Sequence, residues 1–374
     1  MKKEKIVIIQ REFPFYRKPL FERLLNLKER EYYLITGGND SVSGGTIKIN
    51  SPKHIKIKNI KIKIKNFEIW RQPRVLKEIK RIQPDIVIIE AMISNISNWE
   101  IIQLKKKYGF KLIAWACGYQ KYTGKIKDFL LRKFFRNCDY FLAYHGVARD
   151  FLIRYGVMAN KITILHNAVE VSFDYDRDKI KKIRSENLLK GKNVIIYVGR
   201  IVKTKQLEIL LESMKKLGED YVCMIVGGGD YLPHLKEKYK PIKNIRFIGE
   251  IINGIENYFK VADLFVLPGP GGLSLNEALY HGLPIISSLA DGSAKDLVID
   301  GYNGFLIKDI TINKLTKRIR DVFKKGGKDI YSKNSLKLGK KFNFDNFVRN
   351  YMGGVTNCIG TQSHEEKNNY CCRC

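Results

Sequence analysis

Two basic residues, a glycine-rich turn and one carboxylate in the second half of the chain have the types and spacing to hold a ligand with both phosphates and sugar hydroxyls. Arg200 ends the apolar run NVIIYVGR, and Lys205 follows it by five residues across IVKTK. Gly269, Pro270, Gly271 and Gly272 follow a second apolar run, DLFVLP, and lead into LSLNEALYHG. A glycine-rich turn entering a helix leaves backbone N–H groups bare for an anion. Gly271, Gly272, Leu273 and Ser274 would form that cradle. A guanidinium, an ammonium and a set of N–H groups together neutralise a diphosphate without a metal. Glu277, one turn farther on, is a poor phosphate neighbour but a good acceptor for the vicinal hydroxyls of a ribose. An ordinary crossover unit with a tight turn would account for the glycines alone, but not for the three features together.

The elements that must position these residues follow from the apolar pattern. At 374 residues the chain exceeds one compact core, and two domains are expected. The first half alternates helical stretches with the runs KIVII, YYLIT, DIVIIE, FKLIAWACGY, DYFLAY and KITILHNAV. The second does the same with NVIIYVGR, YVCMIVGGGD, NIRFIGE, DLFVLP and PIIS. Short uninterrupted apolar runs alternating with helices predict α/β domains, each a doubly wound parallel sheet. Such sheets bind ligands at the carboxyl ends of their strands. The predicted site therefore lies at adjacent strand ends, facing a cleft between the domains. The polar stretch after Val169 places the domain boundary near residues 168–175. This gives a first domain over 1–168, a second over 169–335, a helix over 336–352 packing back on the first domain, and a disordered tail over 353–374. Gly227, Gly228 and Gly229 fail the dinucleotide fingerprint, whose third glycine would fall on Leu232, and this disfavours a nicotinamide or flavin enzyme.

Composition narrows the partners. The formal charge is +30, and the first 168 residues hold 34 Lys/Arg against 14 Asp/Glu. Such an excess favours an anionic partner: nucleic acid, an acidic membrane surface or a phosphorylated substrate. The alternating stretch HIKIKNIKIKIKN, His54 to Asn66, reads as a half-buried strand or hairpin with a cationic face, and it is the first choice for a membrane-touching surface. Its apolar partners are aliphatic rather than aromatic, which argues against nucleic acid. Arg17, in the loop after the first strand, marks that strand end. No apolar run approaches 18 residues, and the opening MKKEKIVIIQ lacks a signal-peptide pattern, so a cytoplasmic location is expected. Cys371, Cys372 and Cys374 form no metal-ligand pattern.

The segments YVGRIVKTKQLEILLES, ADLFVLPGPGGLSLNEALYHGLPIISS and DGSAKDLVIDGYNGFLI resemble the C-terminal half of retaining, nucleotide-sugar-dependent glycosyltransferases of family four. RDFLIRYGVMANKITILHNAVE, FPFYRKPLFERL and WACGY resemble parts of their N-terminal half. The resemblance implies the GT-B fold, two Rossmann-like domains facing across a cleft. It implies transfer of a sugar from a nucleoside diphosphate to a hydroxyl acceptor, in surface polysaccharide or glycolipid assembly. No cofactor beyond that co-substrate is implied, and a lipid-linked acceptor would place the protein on the inner face of the cell membrane.

Carried over by position, the diphosphate-binding Arg and Lys are Arg200 and Lys205, and the ribose-holding glutamate is Glu277. The backbone at Gly271, Gly272, Leu273 and Ser274 meets the diphosphate and donor sugar. Ile248, Gly249 and Glu250 are base-side candidates, and Arg17, Gly118 and Tyr119 are acceptor-side candidates. The family's first motif glutamate falls on Gly269, and Cys117 stands where a histidine is frequent. The same fold serving as a non-catalytic nucleotide-sugar binder, an epimerase or a phosphorylase is the competing expectation.

Overall fold

A computed structural model describes residues 3–38, 49–64, 67–118, 124–289, 292–324 and 326–370. The chain divides into two compact units, Met1–Leu165 with Phe347–Cys374, and His166–Asn346. The first contains β1 (Lys5–Gln10), β2 (Glu31–Gly37), β3 (His54–Ile57), β4 (Ile60–Ile64), β5 (Phe67–Arg71), β6 (Ile86–Glu90), β7 (Lys111–Ala116), β8 (Tyr140–Ala143) and β9 (Ile162–Ile164). Seven of these form one sheet in the order β3-β2-β1-β6-β7-β8-β9, every pairing parallel. Each strand of a parallel sheet is covered on both faces, so Ile6, Val7, Ile8 and Ile9 are all buried.

Alternation assigns the two faces. Val7, Ile9, Val87, Ile89, Leu112, Ala114 and Phe141 share a core with Val75 and Ile79, Ile101 and Ile102, Leu131, Phe134 and Phe135, and Phe151 and Leu152. Those residues come from the helices Val75–Ile82, Ile96–Tyr108, Lys125–Arg136 and Gly146–Arg154. Leu142 points to the opposite face, where Gly354 lets the last helix approach it and Thr163 closely.

The second unit contains β10 (Asn193–Val198), β11 (Tyr221–Val226), β12 (Ile245–Gly249), β13 (Leu264–Leu267), β14 (Ile285–Ser288) and β15 (Gly304–Ile307). They form a parallel sheet in the order β12-β11-β10-β13-β14-β15. The order reverses between β10 and β13, and the crevice at the carboxyl ends of those two strands is where such a sheet binds its ligand. Both units are thus doubly wound α/β, as the apolar pattern predicts.

Two stretches differ from expectation. His54–Ile57 pairs in parallel with β2 as the sheet's edge, whereas Ile60–Ile64 leaves the sheet and pairs antiparallel with Phe67–Arg71. The Lys/Ile alternation slips phase at Lys58-Asn59, between Ile57 and Ile60, and that break is where the edge strand stops and the hairpin begins. The final helical region is two helices rather than one. Gly327–Lys341 packs on the second unit, with the Ser335 hydroxyl donating to the Leu283 carbonyl at 2.7 Å and Gly339 against Leu279 and Tyr280. The helix Phe344–Tyr370 follows and joins the first unit from Phe347, burying Phe347, Tyr351, Val355 and Cys358 there. The expected tail from residue 353 is therefore corrected. Phe344, Phe347, Tyr351, Val355 and Cys358 recur at helical spacing, and their burial continues the helix past residue 352. Cys371, Cys372 and Cys374 lie outside the described residues.

Candidate functional site

Arg200, Lys205 and the Gly271–Ser274 turn come from the two strands that flank the switch point of the second unit, β10 and β13. The loop after β10 is held from beneath by glycines. A Cβ at Gly227 would lie 2.0 Å from the Gly199 carbonyl oxygen, and one at Gly229 would lie 2.2 Å from that of Ile201. Both glycines also have positive φ, 136° and 152°, which side chains avoid. Their bareness lets the two loops join as backbone: Ile201 N–H donates to the Gly228 carbonyl at 2.7 Å, and Tyr231 N–H to that of Ile201 at 3.1 Å. The buried Tyr197 hydroxyl donates to the Arg200 carbonyl at 2.8 Å. The three glycines that fail a dinucleotide fingerprint therefore serve to pin the backbone carrying Arg200. Its side chain is exposed.

Lys205 reaches the second loop. Its Nζ donates to the carbonyls of Pro270 and Gly271 at 2.6 and 2.9 Å. Across a trans peptide the C=O and the next N–H point oppositely. The N–H groups of Gly271 and Gly272 therefore face away from this ammonium, and both glycines are at least partly open to solvent. Lys205 thus braces the turn as well as bringing charge to it. Gly269 is buried, and a Cβ there would lie 2.5 Å from the Lys205 backbone. The position that the resemblance fills with glutamate is occupied here by the chain of the neighbouring loop.

Glu277 lies on the helix Ser274–Tyr280 and lines a cavity of about 320 Å³. Its other walls are Glu170–Ser172, Ile252–Glu256 and His281. Burial, with Glu256 nearby, pushes the Glu277 carboxyl up to about 7. Burial, with Lys260 nearby, holds His281 down at about 4, so its imidazole is neutral at pH 7. That ring stacks on Phe259 at 5.1 Å and its Nδ1 is 2.8 Å from the Tyr175 hydroxyl. The cavity offers carboxylates and backbone to a hydroxylated ligand fragment beside the phosphate-type turn.

The expected residues separate accordingly. Arg200, Lys205, Gly271, Gly272, Leu273 and Ser274 sit at the switch point, and Glu277 sits in the adjoining cavity. Ile248, Gly249 and Glu250 end β12 outside the cavity lining, with the Gly249 carbonyl accepting the Gly227 N–H at 2.7 Å. Glu170, Glu256 and His281 were not singled out from sequence; His281 follows Glu277 by four residues, the spacing of one helical face.

In the first unit Arg17, expected on the acceptor side, is buried rather than open to solvent. It is 2% exposed, its guanidinium 4.5 Å from Trp115 and 5.2 Å from both Tyr144 and Phe347. Gly118, at φ 73°, passes 2.9 Å (as a built Cβ) from the Ala148 backbone, and Tyr119 lies outside the described residues. Glu90 ends β6 beside Arg11, and burial raises its carboxyl pKa.

Residues 178–339 match the family described as glycosyl transferases group 1, and residues 27–173 match glycosyltransferase family 4. An uncharacterized glycosyltransferase of Methanocaldococcus jannaschii, MJ1069, is 28% identical over 246 residues, covering 62% of this chain and 60% of that protein. A Campylobacter jejuni enzyme is 27% identical over 194 residues, covering 49% of this chain and 50% of its own. It is named as a GalNAc-alpha-(1->4)-GalNAc-alpha-(1->3)-diNAcBac-PP-undecaprenol alpha-1,4-N-acetyl-D-galactosaminyltransferase. The aligned regions thus span about half to three-fifths of these relatives. The crystal structure of Anabaena Alr3699/HepE in complex with UDP has the same fold, at a TM-score of 0.73 and 14% identity, covering 94% of this chain and 99% of that one.

Proposed function

The chain belongs to the group 1 glycosyltransferases of family four, and from that premise we propose that it moves a sugar, with retention, from a nucleoside diphosphate to a hydroxyl acceptor. One observation carries the reading: the two strands flanking the switch point of the second unit deliver the Arg200–Lys205 loop and the Gly271–Gly272 turn, with Glu277 in the cavity alongside.

In this reading the diphosphate lies against Arg200 and the Gly271 and Gly272 amides, and the Glu277 carboxylate accepts from the ribose hydroxyls. The anomeric carbon–oxygen bond to the diphosphate breaks through an oxocarbenium-like state as the acceptor oxygen bonds on the same face. The acceptor's proton passes to the departing diphosphate oxygen, so no protein base is required. Negative charge grows on that oxygen, and groups whose hold on it strengthens in the transition state accelerate the step. Arg200 is exposed and Lys205 braces the turn, so the two replacements separate. Arg200→Ala should lower kcat on the order of 10²–10³-fold without moving Tm, whereas Lys205→Ala should lower both. Turnover of a panel of UDP-, GDP- and ADP-sugars by the parent and both variants tests this; near-normal rates in Arg200→Ala overturn the assignment.

The acceptor we infer is lipid-linked and membrane-borne. The +20 excess of the first 168 residues supports it, as does the undecaprenol-linked substrate in the Campylobacter jejuni relative's name. Among the described residues no helix is long and apolar enough to cross a membrane, so contact with the lipid would be made from the surface.

A further inference from the structure

The helix Lys125–Arg136, sequence KIKDFLLRKFFR, presents two faces that a buried crossover helix does not need. Leu131, Phe134 and Phe135 are buried in the core of the first unit. The Tyr155 hydroxyl donates to Asp128 at 2.6 Å, and Phe134 meets Trp99 at 5.5 Å, so the helix is anchored. Yet Ile126 is 80% exposed, Phe129 65% and Leu130 36%, at the i, i+3, i+4 spacing of one stripe. Lys125, Arg132, Lys133 and Arg136 are exposed around it. Asp128 is the helix's one acidic side chain and is engaged by Tyr155.

Large apolar side chains left in water cost free energy unless something covers them. A second copy is disfavoured as the cover, because the same cations would meet their like on a chain of formal charge +30. An anionic lipid surface satisfies both features at once: rings and aliphatics enter the headgroup–acyl boundary while lysines and arginines meet lipid phosphates. We propose that this helix is the element by which the protein lies on an anionic bilayer, with Ile126, Phe129 and Leu130 inserted. The proposal rests on the reading of a membrane-borne acceptor and supplies the surface for it. The exposed isoleucines of the β4–β5 hairpin, Ile60, Ile62 and Ile64, are the competing surface, but there Lys61 is paired with Glu68 at 2.7 Å.

The test is flotation of the full chain with vesicles of phosphatidylcholine alone and of phosphatidylcholine mixed equally with phosphatidylglycerol. Binding is expected only to the mixed vesicles and should weaken with salt. Ile126→Ser with Phe129→Ser should reduce it at least about tenfold; Lys133→Ser with Arg136→Ser should reduce it about thirtyfold, at roughly fivefold per cation. Ile62→Ser should leave it unchanged. All these sites are exposed, and circular dichroism of each variant confirms the fold. Phe129→Trp should gain a blue-shifted emission component on mixed vesicles. The proposal is overturned if the Ile126/Phe129 variant binds as the parent does, if Ile62→Ser is the variant that loses binding, or if neutral vesicles bind equally. It is also overturned if the Ile126/Phe129 variant instead converts a dimer to a monomer in sedimentation. Donor hydrolysis in solution is measured in parallel: vesicle binding without it would sink the transferase reading and leave this one standing.

Discussion

At the scale of single residues the site turns on a carboxyl group kept partly protonated at neutral pH. Burial and Glu256 hold the Glu277 pKa near 7, above the ordinary 4.5. A carboxyl raised on folding stabilises the protein below its unfolded pKa, and that contribution is lost as pH climbs from about 4.5 to 7. Glu277→Gln should therefore match the parent's stability at pH 4 and exceed it at pH 8, by about 3 kcal/mol at most, in chemical denaturation. The same change should weaken donor binding, because ribose hydroxyls bond best to the ionised carboxylate. Binding of an intact nucleotide sugar should thus release part of a proton near pH 7. Calorimetry in two buffers of different ionisation enthalpy reads this, and buffer-independent heats would remove Glu277 from the ribose contact. Gly269 makes the opposite point. Gly269→Glu restores the family's residue, but its Cβ would sit 2.5 Å from the Lys205 backbone. Overpacking of this kind costs about 1–3 kcal/mol, so Tm should fall and turnover should drop rather than rise.

At the scale of elements the site is two loops, one seated on glycines and the other braced by Lys205. Gly229→Ala places a methyl group 2.2 Å from the Ile201 carbonyl at a φ of 152°, so the loop bearing Arg200 must move. The expected result is a loss of about 1–3 kcal/mol and a raised donor KM, although residue 229 touches no substrate in the proposed pose. An unchanged KM would separate this support from donor binding. Such contacts also mark the limit of what the sequence could disclose. The parallel strands were legible because an apolar run such as KIVII or DLFVLP has one stable placement, covered on both faces. The positions of Arg200 and Lys205 at one strand end, with Glu277 on the helix after the neighbouring strand, were legible because strand ends in doubly wound sheets converge by topology. What three successive glycines bind was not legible, since bare backbone suits a phosphate and another backbone equally well. Nor was the fate of Arg17. An arginine after a strand reads as a surface cation unless Trp115, Tyr144 and Phe347, distant in sequence, are known to enclose it. The cavity walls at Glu170 and Glu256 were hidden for the same reason, being assembled from segments far apart in the chain.

At the scale of the molecule, the chain completes its first unit last. It leaves the second unit at Asn346 and contributes Phe347, Tyr351, Val355 and Cys358 to the first, each nearly or fully buried. Tyr351 meets Trp115 at 5.2 Å, and Phe347 closes the cage over Arg17. Asn350 donates to the Leu165 carbonyl at 3.3 Å, at the point where the chain leaves the first unit. Full burial of large apolar side chains contributes about 1.5–3 kcal/mol each, so these four amount to much of the roughly 5–15 kcal/mol that holds a domain folded. They also cover an arginine that would otherwise be left beside exposed rings. A chain ending at Asn346 should therefore lose its first unit before its second. Limited proteolysis read by mass spectrometry should cut throughout residues 3–118 and 124–165, leaving a fragment near 166–346 intact. That fragment should still bind nucleotide, since the Arg200–Lys205 loop, the Gly271–Gly272 turn and the Glu277 cavity all lie within it. Equal resistance of both units after truncation would show that the last helix only decorates the first. Loss of nucleotide binding together with the first unit would show that the donor site needs more than the second unit provides.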